Sequence, residues 1–103
     1  MNRDLYRYTF SPELPAEEIE AALVLALLAT ESLHGESQTR LDAAHYFDGA
    51  HHVCVVDALT RVGKDLNRLF VGFLRREFSP DSFRVERIDA VEMPQRSTMP
   101  AAS

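Results

Sequence analysis

The hydrophobic period of this chain alternates between two residues and 3.6 residues in an order that few folds accommodate. Residues 5–10, Leu-Tyr-Arg-Tyr-Thr-Phe, alternate as a half-buried strand, with Tyr6, Tyr8 and Phe10 on one face and Leu5, Arg7 and Thr9 on the other. After the loop Ser11-Pro12-Glu13-Leu14, Pro15 suits the first position of a helix, where its missing N–H costs nothing. Glu17, Glu18 and Glu20 then stand near the positive end of the helix dipole, and Ile19, Leu23, Ala26, Leu27, Thr30 and Leu33 repeat at helical spacing as the core stripe. Gly35, following His34, is expected to be the left-handed C-terminal cap.

Residues 40–46 and 51–57 alternate again on either side of Phe47-Asp48-Gly49-Ala50, and Asp-Gly between such runs is a hairpin signal. A two-residue turn would pair Tyr46 with His51. A three-residue loop with Gly49 left-handed pairs His45 with His51 instead, which gathers Leu41, Ala43, Val53 and Val55 on one face and leaves Asp42 with Cys54 on the other. The second register groups the apolar residues and is the one expected. Helical spacing returns over residues 58–78, with Leu59, Val62, Leu66, Leu69, Phe70 and Phe73 on one side and Asp57 or Thr60 as N-cap. Ser79-Pro80-Asp81 ends it, and residues 83–88 alternate as a last strand with Phe83 and Val85 inward. Residues 1–89 thus read as one domain, and residues 90–103, rich in Pro, Ser, Thr and Ala, as an irregular tail.

This β-α-β-β-α-β order resembles ferredoxin-like domains: an α+β sandwich of a four-stranded antiparallel sheet with two helices on one face. Right-handed crossovers put the first and third strands at the centre. A helix pair on a sheet of other strand order is the alternative. Within the fold no family is matched. The paired cysteines of metal-chaperone domains, the glycine-rich first loop of small-molecule regulatory domains and the Arg-containing phosphate loop of acylphosphatase-like enzymes are all missing from these positions.

The chain of 103 residues is long enough for one core and too short for two. Its net charge of −5 argues against non-specific binding of nucleic acid. The apolar run at residues 21–29 is too short to span a bilayer, no secretory leader pattern is present, and the one cysteine, Cys54, permits no internal disulfide. A cytoplasmic setting without membrane insertion is the expectation.

Three surfaces stand out. On the first helix Ala21, Val24, Leu25 and Leu28 cluster opposite the core stripe, where a free surface helix would be charged. Such a face implies a protein partner, either a second copy or a larger protein, unless the C-terminal tail folds over it. On the second helix Arg61, Lys64, Arg68 and Arg75 form a basic stripe suited to phosphates or an acidic protein surface. Sheet-based RNA readers need stacking aromatics on the open face, however, and only Tyr46 is expected there. The open sheet face, with Arg7, Thr9, Asp42, Cys54, Arg84 and Glu86, is a candidate ligand or dimer surface.

Catalytic chemistry has little to stand on. His45, His51, His52 and Cys54 divide between two faces, so no face gathers the ligands a zinc site needs. Gly35, Gly49, Gly63 and Gly72 are scattered and make no phosphate-cradling loop. No cofactor, metal or catalytic residue is therefore expected. The reading is a non-enzymatic interaction or self-assembly module, with a small open-face enzyme or ligand binder, and a nucleic-acid binder using the basic stripe, as alternatives.

Overall fold

In a computed structural model, which describes residues 4–88, the first alternating run forms strand β1 (Leu5–Phe10) and the first helical run forms helix α1 (Ala16–His34). A short second helix follows, α2 (Glu36–Asp42), and then strands β2 (His45–Asp48) and β3 (Val53–Asp57). Helix α3 (Arg61–Glu77), a 3-10 turn (Pro80–Ser82) and strand β4 (Phe83–Ile88) complete the order. Over the described residues the protein is thus α+β, with three α-helices and one antiparallel sheet in the order β2-β3-β1-β4. The tail expected over residues 90–103 lies outside the described residues.

Helices α1 and α3 cover the face of the sheet that carries Tyr6, Tyr8 and Phe10. Ile19, Ala22, Leu23 and Ala26 of α1 meet Val62, Leu66, Phe70 and Leu74 of α3 over these rings, and Phe70 stands edge-on to Tyr8 with centroids 4.8 Å apart. Such offset aromatic geometry is worth about 1 kcal/mol beyond burial. Thr60 caps α3, its hydroxyl accepting from the Gly63 N–H at 2.9 Å. The core stripes are shifted slightly from the expected ones. Ala22 and Leu74 are buried, whereas Leu33, in the last turn of α1, and Leu59, which precedes the first turn of α3, are exposed.

Residues 36–42 are helical, so residues 40–42 are not the start of the strand expected over residues 40–46. Glu36 and Arg40 form an i,i+4 ion pair at 2.9 Å, Gln38 donates to Asp42, and the buried Thr39 hydroxyl donates back to the Gly35 carbonyl. These local contacts outweigh the weak alternation of Leu41 and Ala43. Gly35 has the positive φ expected of it, +88°, but its ψ of 155° turns the chain directly into α2.

The hairpin register also differs. His45 faces Val56 and Asp48 faces Val53, leaving residues 49–52 as a four-residue loop in which His52 (φ 57°), not Gly49, is left-handed. Cys54 and Val56 consequently face the helices, while Val53 and Val55 join Leu5, Tyr46 and Ile88 on the other face. Cys54, Val55 and Val56 are all fully buried. A central strand buried on both sides carries no alternation to reveal which face is which. On β4, Phe83 packs inward as expected, but Val85 is 38% exposed, since β4 is an edge strand at the limit of helix cover.

Candidate functional site

The outer face of α1 lies directly opposite its buried stripe. Ala21 is exposed, and Val24, Leu25 and Leu28 expose 46%, 51% and 53% of their surface. A leucine buried from such a position gains about 1 kcal/mol or more, so three together are a substantial unused attraction. Glu17, Glu18 and Glu20 are exposed at the N-terminal end of this face and Glu31 is half-buried at the other.

Alongside runs α3, antiparallel to α1. Where α1 ends and α3 begins, His34 Nε2 lies 2.7 Å from Asp65 Oδ2. Arg61, Lys64, Arg68 and Arg75 are all exposed on the outer side of α3, and Arg61, Lys64, Asp65 and Arg68 line an open concavity of about 500 Å³. The stripe is not uniform, because Lys64 folds back and donates from Nζ to the carbonyls of Ala58 and Leu59 at 3.0 and 3.1 Å. Among the described residues no ion pair joins Glu17, Glu18, Glu20 or Glu31 of α1 to Arg61, Arg68, Arg75 or Arg76 of α3. An acidic and a basic helix therefore share one layer without neutralising each other by direct pairing.

The candidate group on the open sheet face is only partly brought together. Arg7, Thr9, Arg84 and Glu86 share that face, and Arg7 bonds Glu86 across the β1–β4 pair at 3.0 Å. Two members do not belong to it. Asp42 is the last residue of α2, and Cys54 points into the core beneath the helices. Burial pushes the Cys54 thiol up to about 12, so at neutral pH it is a protonated, shielded group and not a nucleophile. Tyr8, also buried, is likewise raised, and its hydroxyl donates to Asn67 of α3.

A solution test of this burial follows. Cys54 should resist iodoacetamide at pH 8 in the folded protein and react promptly once the chain is unfolded in urea. Equal rates in both states would contradict the assignment. Because the folded thiol holds its proton from its ordinary value near 9 up to about 12, the unfolded state binds fewer protons in that window. Stability should therefore fall as pH rises from 9 to 12, with the full contribution present below 9.

Each histidine is engaged in a hydrogen bond within the chain. His51 Nδ1 pairs with Asp48 Oδ2 at 2.7 Å, holding that carboxyl below its usual range by the side-chain hydrogen bond, and His52 Nε2 donates to the Leu14 carbonyl at 2.8 Å. His45 Nδ1 donates to the Ala43 carbonyl at 3.0 Å. Among the described residues, no three His, Cys, Asp or Glu side chains gather as metal ligands.

Comparison with protein-family models, curated proteins and solved structures finds no match. Among the described residues no helix is long and apolar enough to cross a membrane. Leu41, 76% exposed on α2, extends the apolar exposure near the start of α3, where the Thr60 hydroxyl donates to the Asp42 carbonyl. Sequence reasoning missed Leu41 by assigning it to the inner face of a strand; the i,i+4 spacings of Glu36–Arg40 and Gln38–Asp42 were the available signal.

Proposed function

We propose that this chain is a non-enzymatic protein-interaction and self-assembly module whose contact surface is the outer face of α1: Ala21, Val24, Leu25 and Leu28. The supporting observation is the half-exposure of Val24, Leu25 and Leu28 on a helix already buried on its opposite side. A domain of this size needs one apolar face per helix to build its core, and a second is a cost in water that association removes. The competing open-face reading has lost its thiol and one of its carboxylates. The nucleic-acid reading retains the arginines but has no row of outward aromatics, since Tyr6, Tyr8 and Phe10 lie under the helices.

We read the arrangement as ferredoxin-like, with α2 an insertion between α1 and β2. The antiparallel sheet with β1 and β3 at its centre and the packing of α1 and α3 on one face support this. The lone buried cysteine suits a cytoplasmic setting.

Size-exclusion chromatography with light scattering tests the function. The unaltered protein should run above the mass of one chain at high micromolar concentration. Leu25→Glu with Leu28→Glu should return it to one chain, weakening association on the order of 100-fold while circular dichroism stays native. One-chain mass for both proteins, or equal association by both, would contradict the proposal.

A further inference from the structure

Resting on that reading, we infer that the occupant of the α1 face is a second copy of this chain, docked so that α1 of each copy lies on α3 of the other. The first argument is area. Four half-exposed side chains offer a few hundred Å² at most, whereas a stable interface takes about 800 Å² from each partner. A single helix face is too small, but the neighbouring outer face of α3 belongs to the same layer and supplies the remainder.

Charge then selects how two such layers meet. An α1-on-α1 contact centred on Val24 and Leu25 would run antiparallel and set Glu31 of one copy against Glu18 of the other, a repulsive arrangement. A two-fold axis parallel to the helices instead places acidic α1 over basic α3. It leaves neighbouring helices antiparallel throughout, like a four-helix bundle. None of the charges concerned is paired within its own copy among the described residues.

The level of each contact follows from the His34–Asp65 bond. Both helices rise by the same amount per residue and run in opposite directions, so Glu31 is level with Arg68, Leu28 with Val71 and Gly72, and Val24 with Arg75. Rotation about an axis parallel to the helices preserves those levels across the interface. Leu28 thus meets Gly72, an exposed position where a Cβ would have nothing within 4 Å and no side chain stands in the way. Glu31 meets the exposed Arg68 guanidinium, and the arms of Arg68 and Arg75 lie along Leu28 and Val24, covering them with their methylene stems. A glycine at the centre of an exposed helix, otherwise a cost to the fold, becomes the seat of the partner's leucine.

A charge exchange tests this arrangement by sedimentation equilibrium. Glu31→Arg places arginine against Arg68 at both symmetry-related contacts, and Arg68→Glu places glutamate against Glu31, so each variant alone should associate about tenfold or more weakly than the unaltered chain. Mixed in equal amounts, the two variants restore opposite charges at both contacts, and their mutual affinity should return to within about threefold of the original. Circular dichroism confirms that each variant folds. Unchanged association of Arg68→Glu, or a mixture no tighter than its components, overturns the α1-on-α3 arrangement. If Leu25→Glu with Leu28→Glu still abolishes association, α1 remains the contact surface. An unaltered protein that stays a single chain throughout overturns both.

Discussion

Replacing Gly63 by alanine is expected to destabilise the fold by about 3 kcal/mol or more. A Cβ at this position would lie 2.2 Å from the Asp57 carbonyl oxygen, and that oxygen is backbone at the end of the central strand β3. It cannot swing aside as a side chain would. The first turn of α3 must then move away from the sheet, breaking the Thr60–Gly63 cap and loosening Val62 and Leu66 from the core. The other glycine of α3 makes the control. At Gly72 a Cβ meets nothing within 4 Å, so Gly72→Ala should stabilise the monomer by up to about 1 kcal/mol through helix propensity alone. Urea denaturation of the two variants should give shifts of opposite sign. A Gly63→Ala midpoint within experimental error of the unaltered protein would refute the close packing of α3 on β3.

Phe70→Ala should cost about 3–5 kcal/mol. The ring is fully buried at the centre of α3, edge-on to Tyr8, and 6.5 Å centroid to centroid from Phe10. Removing it leaves a cavity beneath both helices and frees the Tyr8 ring, whose hydroxyl is tied to Asn67 one turn earlier on α3. Domains of this size are stable by only about 5–15 kcal/mol, so the loss is a large fraction of the total. Phe70→Leu, which keeps most of the volume, should lose distinctly less in thermal unfolding. A loss of under 1 kcal/mol for Phe70→Ala would mean that the aromatic cluster does not carry the core.

The outward cluster of Ala21, Val24, Leu25 and Leu28 was readable from the sequence because a helix of nineteen residues fixes each side chain by its 100° step, and the errors fell at the helix end. Leu33 repeats with the core stripe yet is 66% exposed in the last turn of α1. Strand β3 shows the opposite case. Val53 to Val56 are apolar on both faces, so the pattern held no information about which side meets the helices, and Cys54 was placed outward with the ligand candidates. In α2 the decisive contacts were short-range polar ones, Glu36–Arg40 and Thr39 to Gly35, which a hydrophobic alternation of two residues cannot outvote. The level of Glu31 with Arg68 was out of reach altogether. It depends on the tertiary His34–Asp65 bond, thirty-one residues apart along the chain.

The most direct test of α1 as the contact surface is a dilution series followed by leucine and valine methyl resonances. From high to low micromolar concentration, the methyls of Val24, Leu25 and Leu28 should shift or broaden together. Those of the fully buried Leu5, Leu66 and Leu74 should hold still. Concentration-independent spectra at Val24, Leu25 and Leu28, with movement elsewhere on the surface or none at all, would contradict the account.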